Sequence, residues 1–65
     1  MGYIVKLLGS ESYFTAGEDG IDTTDSRQHA IDNGQFDDYE SAQETAESWS
    51  GQMQLGRDYI IEEIQ

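Results

Sequence analysis

The sequence predicts an α+β fold: a three-stranded antiparallel sheet of spatial order 2-1-3 with one main helix packed on one face, in the chain order β-β-(short α)-α-β. Three observations lead there. Two β-branched and aromatic runs, Tyr3 to Leu8 and Ser12 to Ala16, are joined by turn-forming residues. A third such run spans Arg57 to Ile64. Between them a helical pattern begins at Phe36-Asp37-Asp38-Tyr39-Glu40. Three strands with a helix against them are near the minimum that stands alone, so residues 1–65 are expected to form a single compact domain.

The first strand is closed by Gly9-Ser10-Glu11, and the short connection to Ser12-Tyr13-Phe14-Thr15-Ala16 suits an antiparallel hairpin. Side chains alternate across a strand, so Tyr3, Val5 and Leu7 share one face while Ile4, Lys6 and Leu8 share the other. Lys6 marks the second face as the wetter one. From Gly17 to Gln35 the chain is rich in Gly, Asp, Thr and Ser, and reads as a long loop. Within it, Asp25 to Ile31 is expected to form one or two helical turns, capped by Thr24 or Asp25, with Ile21, Ala30 and Ile31 anchoring the stretch to the core. The main helix is expected over Asp38 to Ser50. Asp37 followed by Glu40 three residues later is an Asp-led capping box, and Gly51 is the expected stop. Tyr39, Ala42, Ala46 and Trp49 fall within a sector of roughly 80° at 100° per residue, which predicts the buried face. In the last strand Ile60 and Ile64 lie on one face and Tyr59 and Ile61 on the other, so its inward phase stays open.

Charge is the dominant compositional feature: 14 Asp and Glu face 3 Lys and Arg, for a net charge of −11. Only 12 of 65 residues are Leu, Ile, Val or Phe, a composition that borders on disorder, but their spacings are organised. There is no cysteine and hence no disulfide staple. No apolar run approaches the roughly 18 residues of a membrane span, and Tyr3 to Leu8 lacks the flank and length of a signal peptide. The expectation is a monomeric protein of the cytoplasm, without membrane contact. Direct nucleic-acid binding is disfavoured, because Lys6, Arg27 and Arg57 are scattered among carboxylates that repel phosphate. A basic protein surface is the partner that this charge attracts.

The residues offer little for catalysis. His29 is the single histidine, no serine sits in a nucleophile-elbow setting, and His29 reads as a polar residue on a short helix. The carboxylate pairs Asp37 with Asp38 and Glu62 with Glu63 would need a cleft to raise one pKa, and so small a domain has little room for one. Asp19, Asp22 and Asp25 with Thr23 and Thr24 make an oxygen-rich stretch, but not the register of a calcium loop. No enzyme activity, metal or cofactor is expected.

The helix offers more. Glu40, Glu44 and Glu47 lie at i, i+4 and i+7, within about 60° of one another and opposite the expected buried face. Like charges at this spacing repel, and no lysine on the helix relieves them. The carboxylates recur about every 5–6 Å along one ridge, close to the scale on which DNA presents phosphates. Asp37 and Asp38 extend the ridge at one end, and Glu18, Asp19, Asp22 and Asp25 would extend it further if their loop folds alongside. These nine residues are the expected partner-binding surface.

The runs Tyr3-Ile4-Val5-Lys6, Tyr13-Phe14-Thr15, Phe36-Asp37-Asp38-Tyr39-Glu40-Ser41-Ala42 and Tyr59-Ile60-Ile61-Glu62 together resemble small phage and mobile-element proteins of β-β-α-β plan. With its acidity and size, the chain is similar to the DNA-mimicking inhibitors of host defence, particularly the anti-CRISPR proteins. That resemblance implies a basic nucleic-acid-binding surface of a host protein as partner, such as a subunit of a Cas effector, whose duplex lies in a positively charged channel. Two other readings of the same composition stand beside it: a small acidic phage accessory protein that binds a basic surface without mimicking DNA, and a halophile-type domain whose acidity is generic.

Overall fold

Alternation along the first strand decides the layers. The computed structural model describes residues 2–18, 20–51 and 53–64. It contains β1 (Gly2–Leu7), β2 (Ser12–Gly17), β3 (Gly20–Thr24), α1 (Arg27–Asn33), α2 (Tyr39–Ser50) and β4 (Tyr59–Ile64). Val5 and Leu7 face α2 in a core with Phe14, Ala42, Ala46 and Tyr59. Ile4 points the other way, into a second cluster with Tyr13 and Ala30 of α1. The two helices therefore cover opposite faces of one sheet, and Lys6 falls on the α1 side as its alternation with Val5 requires.

The fold is α+β and antiparallel, and the expected 2-1-3 arrangement is present as β2-β1-β4. The sheet nevertheless has four strands, in the order β3-β2-β1-β4. The extra one comes from the Gly17 to Gln35 stretch, which the sequence predicts as a long loop. Gly20 to Thr24 pairs residue for residue with β2, from Gly17↔Gly20 to Tyr13↔Thr24, so the β-branched Ile21, Thr23 and Thr24 hold a strand in spite of Gly20 and Asp22. Ile21 reaches the α2 core and Ile31 the α1 cluster, as anchors for their segments.

Both phases of the last strand are used. Tyr59 and Ile61 join the α2 core, whereas Ile64 packs with Ile4 and Tyr13 on the α1 side. The short helix begins later than expected: Ser26, rather than Thr24 or Asp25, is its N-cap and accepts from the His29 amide at 3.2 Å. Thr24 serves one step earlier, its Oγ1 accepting from the Ser26 amide at 3.2 Å.

β1 and β2 pair directly only at Lys6↔Tyr13 and Leu7↔Ser12. Beyond that the 34–36 segment takes over the edge of β1: the Tyr3 amide donates to the Phe36 carbonyl at 3.0 Å and the Phe36 amide returns to Tyr3 at 2.7 Å. Gly34 sits so close to β2 that an added Cβ would strike the Phe14 carbonyl and lie 2.9 Å from the Thr15 Cα. By contrast β1 and β4 pair along their whole length, from Gly2↔Ile64 to Leu7↔Tyr59. The Arg27 guanidinium, 3.2 Å from Glu62 Oε1, ties the start of α1 to β4.

Candidate acidic face on the second helix

The helix that carries the acidic residues is fixed at both ends by its own sequence. Asp38 caps it, its carboxylate accepting from the Ser41 amide at 2.7 Å. The expected Asp37–Glu40 capping box is not formed; the cap falls one residue later, which leaves Asp37 exposed ahead of the helix. The hydrogen bond from Ser41 stabilises the charged form and holds the Asp38 carboxyl below its ordinary value. Gly51 ends the helix in the left-handed conformation, φ 78°, and its amide donates to Glu47 O.

The buried face is narrower than the spacing predicts. Ala42 and Ala46 are fully buried, but Tyr39 is 42% exposed and Trp49 47% exposed. Ala42 and Ala46 thus carry the centre of the contact with the sheet, and the aromatic at each end of the face is only partly covered. Each still uses one side of its ring. Tyr39 meets Tyr3 edge-on at 5.9 Å and Trp49 meets Phe14 at 5.1 Å. Tyr13 of β2, in contrast, is buried. Trp49, expected in the core, is the more exposed ring.

Glu40, Glu44 and Glu47 all lie on the exposed side of α2. They are not equivalent. Glu47 leans toward β4, where it accepts from the Tyr59 hydroxyl at 3.0 Å and from Gln43 Nε2 at 3.3 Å. Burial of the ring, together with the hydrogen bond to Glu47 and its negative charge, pushes the Tyr59 phenol up to about 12. Glu44 leans the opposite way, lining a shallow depression with Ile21, Thr45, Ser48 and Trp49. A second depression beyond the end of α2 is bordered by Leu7, Ser12, Thr23, Trp49, Met53 and Arg57, so Trp49 stands as a wall between the two.

The remaining predicted site residues do not form one track with the ridge. Asp37 and Asp38 do extend it at the N-terminal end of α2. Glu18 is exposed in the β2–β3 turn, and Asp19 lies outside the described residues. Asp22 alternates with Ile21, whose side chain joins the α2 core, and therefore points to the α1 side. Asp25 is exposed at the junction of β3 and α1. The stretch that would extend the ridge if it folded alongside the helix forms a β-hairpin instead, and strand alternation turns Asp22 away. Among the described residues no three His, Asp or Glu converge to hold a metal ion, and no helix is long and apolar enough to cross a membrane.

The pairing of Glu47 with Tyr59 and the exposure of Trp49 have no local signal in the sequence, because each is set by a distant strand. Comparison with protein-family models, curated proteins and solved structures finds no significant match.

Proposed function

We propose that the chain is an acidic binding protein that occupies the basic nucleic-acid-binding surface of a host protein, acting as a stoichiometric inhibitor in the manner of the DNA-mimicking anti-CRISPR proteins that its sequence resembles. The observation that supports this is the separation of charge. The outer side of α2 displays Glu40, Glu44 and Glu47 with Asp37 and Asp38 at its start, and no cation is on that helix. Lys6 lies on the α1 side, Arg27 is engaged with Glu62, and Arg57 belongs to the turn before β4. Such a face favours fast, salt-sensitive association with a partner's Lys and Arg. Tyr39 and Trp49, half exposed at the two ends of the helix, supply the apolar surface that ion pairs alone lack. Under this reading the protein works in the host cytoplasm, as a monomer, without catalysis or cofactor.

One observation favours a second reading, an acidic accessory protein that binds a basic surface without mimicking DNA. Asp22 and Asp25 lie off the α2 ridge, so the carboxylates do not trace a single continuous line.

Affinity capture of partners from host lysate, with and without excess duplex DNA, distinguishes the two. The mimic loses its partner to DNA and to a few hundred millimolar salt; the accessory protein keeps it against DNA. The doubly substituted Glu40→Lys, Glu44→Lys chain is expected to lose the partner and keep its fold. Retained binding by that variant would rule out α2 as the contact surface.

A further inference from the structure

The two outer strands of the sheet expose their backbones differently. On β3 the Thr23 amide is satisfied from within its own strand, donating to Asp22 Oδ1 at 2.8 Å. On β4 no side chain guards the amide of Ile61 or Glu63 in this way among the described residues. On β1 the Tyr3 amide and carbonyl point to Phe36, so the alternate residues face β4, and through the register their partners Ile60, Glu62 and Ile64 face back. That leaves the amides and carbonyls of Ile61 and Glu63 directed outward, with no hydrogen-bond partner for them among the described residues. The Tyr59 carbonyl, of the same parity, is already taken by the Gly56 amide at 2.7 Å.

We propose that the outer edge of β4 takes up an extended, lysine- or arginine-bearing segment of a partner protein as a fifth strand of the sheet. Main-chain hydrogen bonds to Ile61 and Glu63 supply the pairing, and the side chains of β4 supply the selectivity. On the α2 side Ile61 lies between Tyr59, with Glu47 at its hydroxyl, and Glu63. A strand added there finds an apolar contact opposite Ile61 and a carboxylate opposite Glu63, which calls for a β-branched residue and a basic one two positions apart. On the other side Arg27 already neutralises Glu62. A second copy of this chain is a poor occupant, because it would bring Glu62, Glu63 and a net charge of −11 against their equals. The edge is thus closed to its own kind by charge and open to a basic segment. This surface is separate from the exposed ridge of Glu40 and Glu44, and the proposal stands or falls apart from the function proposed above.

The test uses the full chain, isotopically labelled, and a heptapeptide in which lysine, valine and lysine alternate with threonine. Binding is expected to shift the amide resonances of Ile61 and Glu63 and to slow their hydrogen exchange. Methylation of the peptide nitrogens at valine and both lysines removes binding, whereas methylation at the threonines does not. Glu63→Pro removes one outward donor at an edge position where proline is tolerated, and is expected to lose the peptide while thermal unfolding stays near that of the parent. Glu63→Gln weakens binding without abolishing it. Glu40→Lys with Glu44→Lys leaves binding intact even if host-partner capture fails. The proposal is overturned if shifts map away from β4, if Glu63→Pro binds as the parent does, or if the chain dimerises through β4 without peptide.

Discussion

The Tyr59 hydroxyl donates to Glu47 Oε2 at 3.0 Å from a fully buried ring, so the edge strand and the charged helix share one hydrogen bond. The phenol is raised from 10.0 to about 12 by that burial and by Glu47. Above the ordinary value the unfolded chain loses a proton that the folded chain keeps, so stability falls with rising pH. The contribution is fully present below pH 10 and is lost as pH rises to about 12. Two pKa units correspond to roughly 3 kcal/mol, an upper limit because the hydroxyl meets an exposed carboxylate that solvent screens. Urea midpoints measured across this window should fall, and Tyr59→Phe should flatten this component; an unchanged slope in Tyr59→Phe would dissociate the pH dependence from this residue.

Asp38 and Asp37 provide a matched pair at the start of α2. Asp38→Ala removes the acceptor for the Ser41 amide and should lower helix content and melting temperature, while Asp37→Ala, which removes only an exposed charge, should not. Because the Asp38 carboxyl is held below its ordinary value, its stabilising contribution is present above pH 3.8 and is lost as pH falls through the lowered value. Equal melting temperatures for the two variants would contradict the assigned cap.

Gly34 and Gly2 separate two kinds of close approach. A Cβ at Gly34 meets backbone, the Phe14 carbonyl and the Thr15 Cα, and Gly34→Ala is expected to cost about 2 kcal/mol. A Cβ at Gly2 first meets the Gln35 side chain, which can swing aside at the loss of its hydrogen bond to the Ile31 carbonyl, and then the Phe36 carbonyl at 3.3 Å, so Gly2→Ala should cost about 1 kcal/mol, less than Gly34→Ala. Denaturant titration of both variants checks the order, and a tolerant Gly34 would mean that the 34–36 segment is not held tightly against β2.

Thr15 is buried with no hydrogen-bond partner for its Oγ1 among the described residues. Replacing that hydroxyl with a methyl group removes a desolvated polar atom at nearly constant shape. Thr15→Val should therefore raise stability by about 1 kcal/mol. A loss of stability on the same scale would show that the hydroxyl has a partner.

The strands that carry their own propensity were legible, and so was the helix. Tyr3 to Leu8, Ser12 to Ala16 and Tyr59 to Ile64 are β-branched and aromatic, and Gly51 stops α2 where a left-handed residue is needed. β3 was not legible, since the turn chemistry of Gly17, Gly20 and Asp22 masked the β-branched Ile21, Thr23 and Thr24, and pairing with β2 completes the strand. Capping was legible to within a residue, because Asp37 and Asp38 are chemically the same candidate. Of the acidic surface, the helical spacing located Glu40 and Glu44. It could not foresee that Tyr59 would engage Glu47, nor that alternation within a hairpin would turn Asp22 to the far side.

The uneven pairing of β1 bears on how the chain reaches its fold. Its full-length partner is β4, at the greatest sequence distance, while its hairpin neighbour β2 holds it at two pairs only. Local collapse therefore favours the β2–β3 hairpin first, and the central strand is secured only when the largest loop closes. For so short a chain, folding should be slow and dominated by topology, with β1 and β4 locking together in the final step.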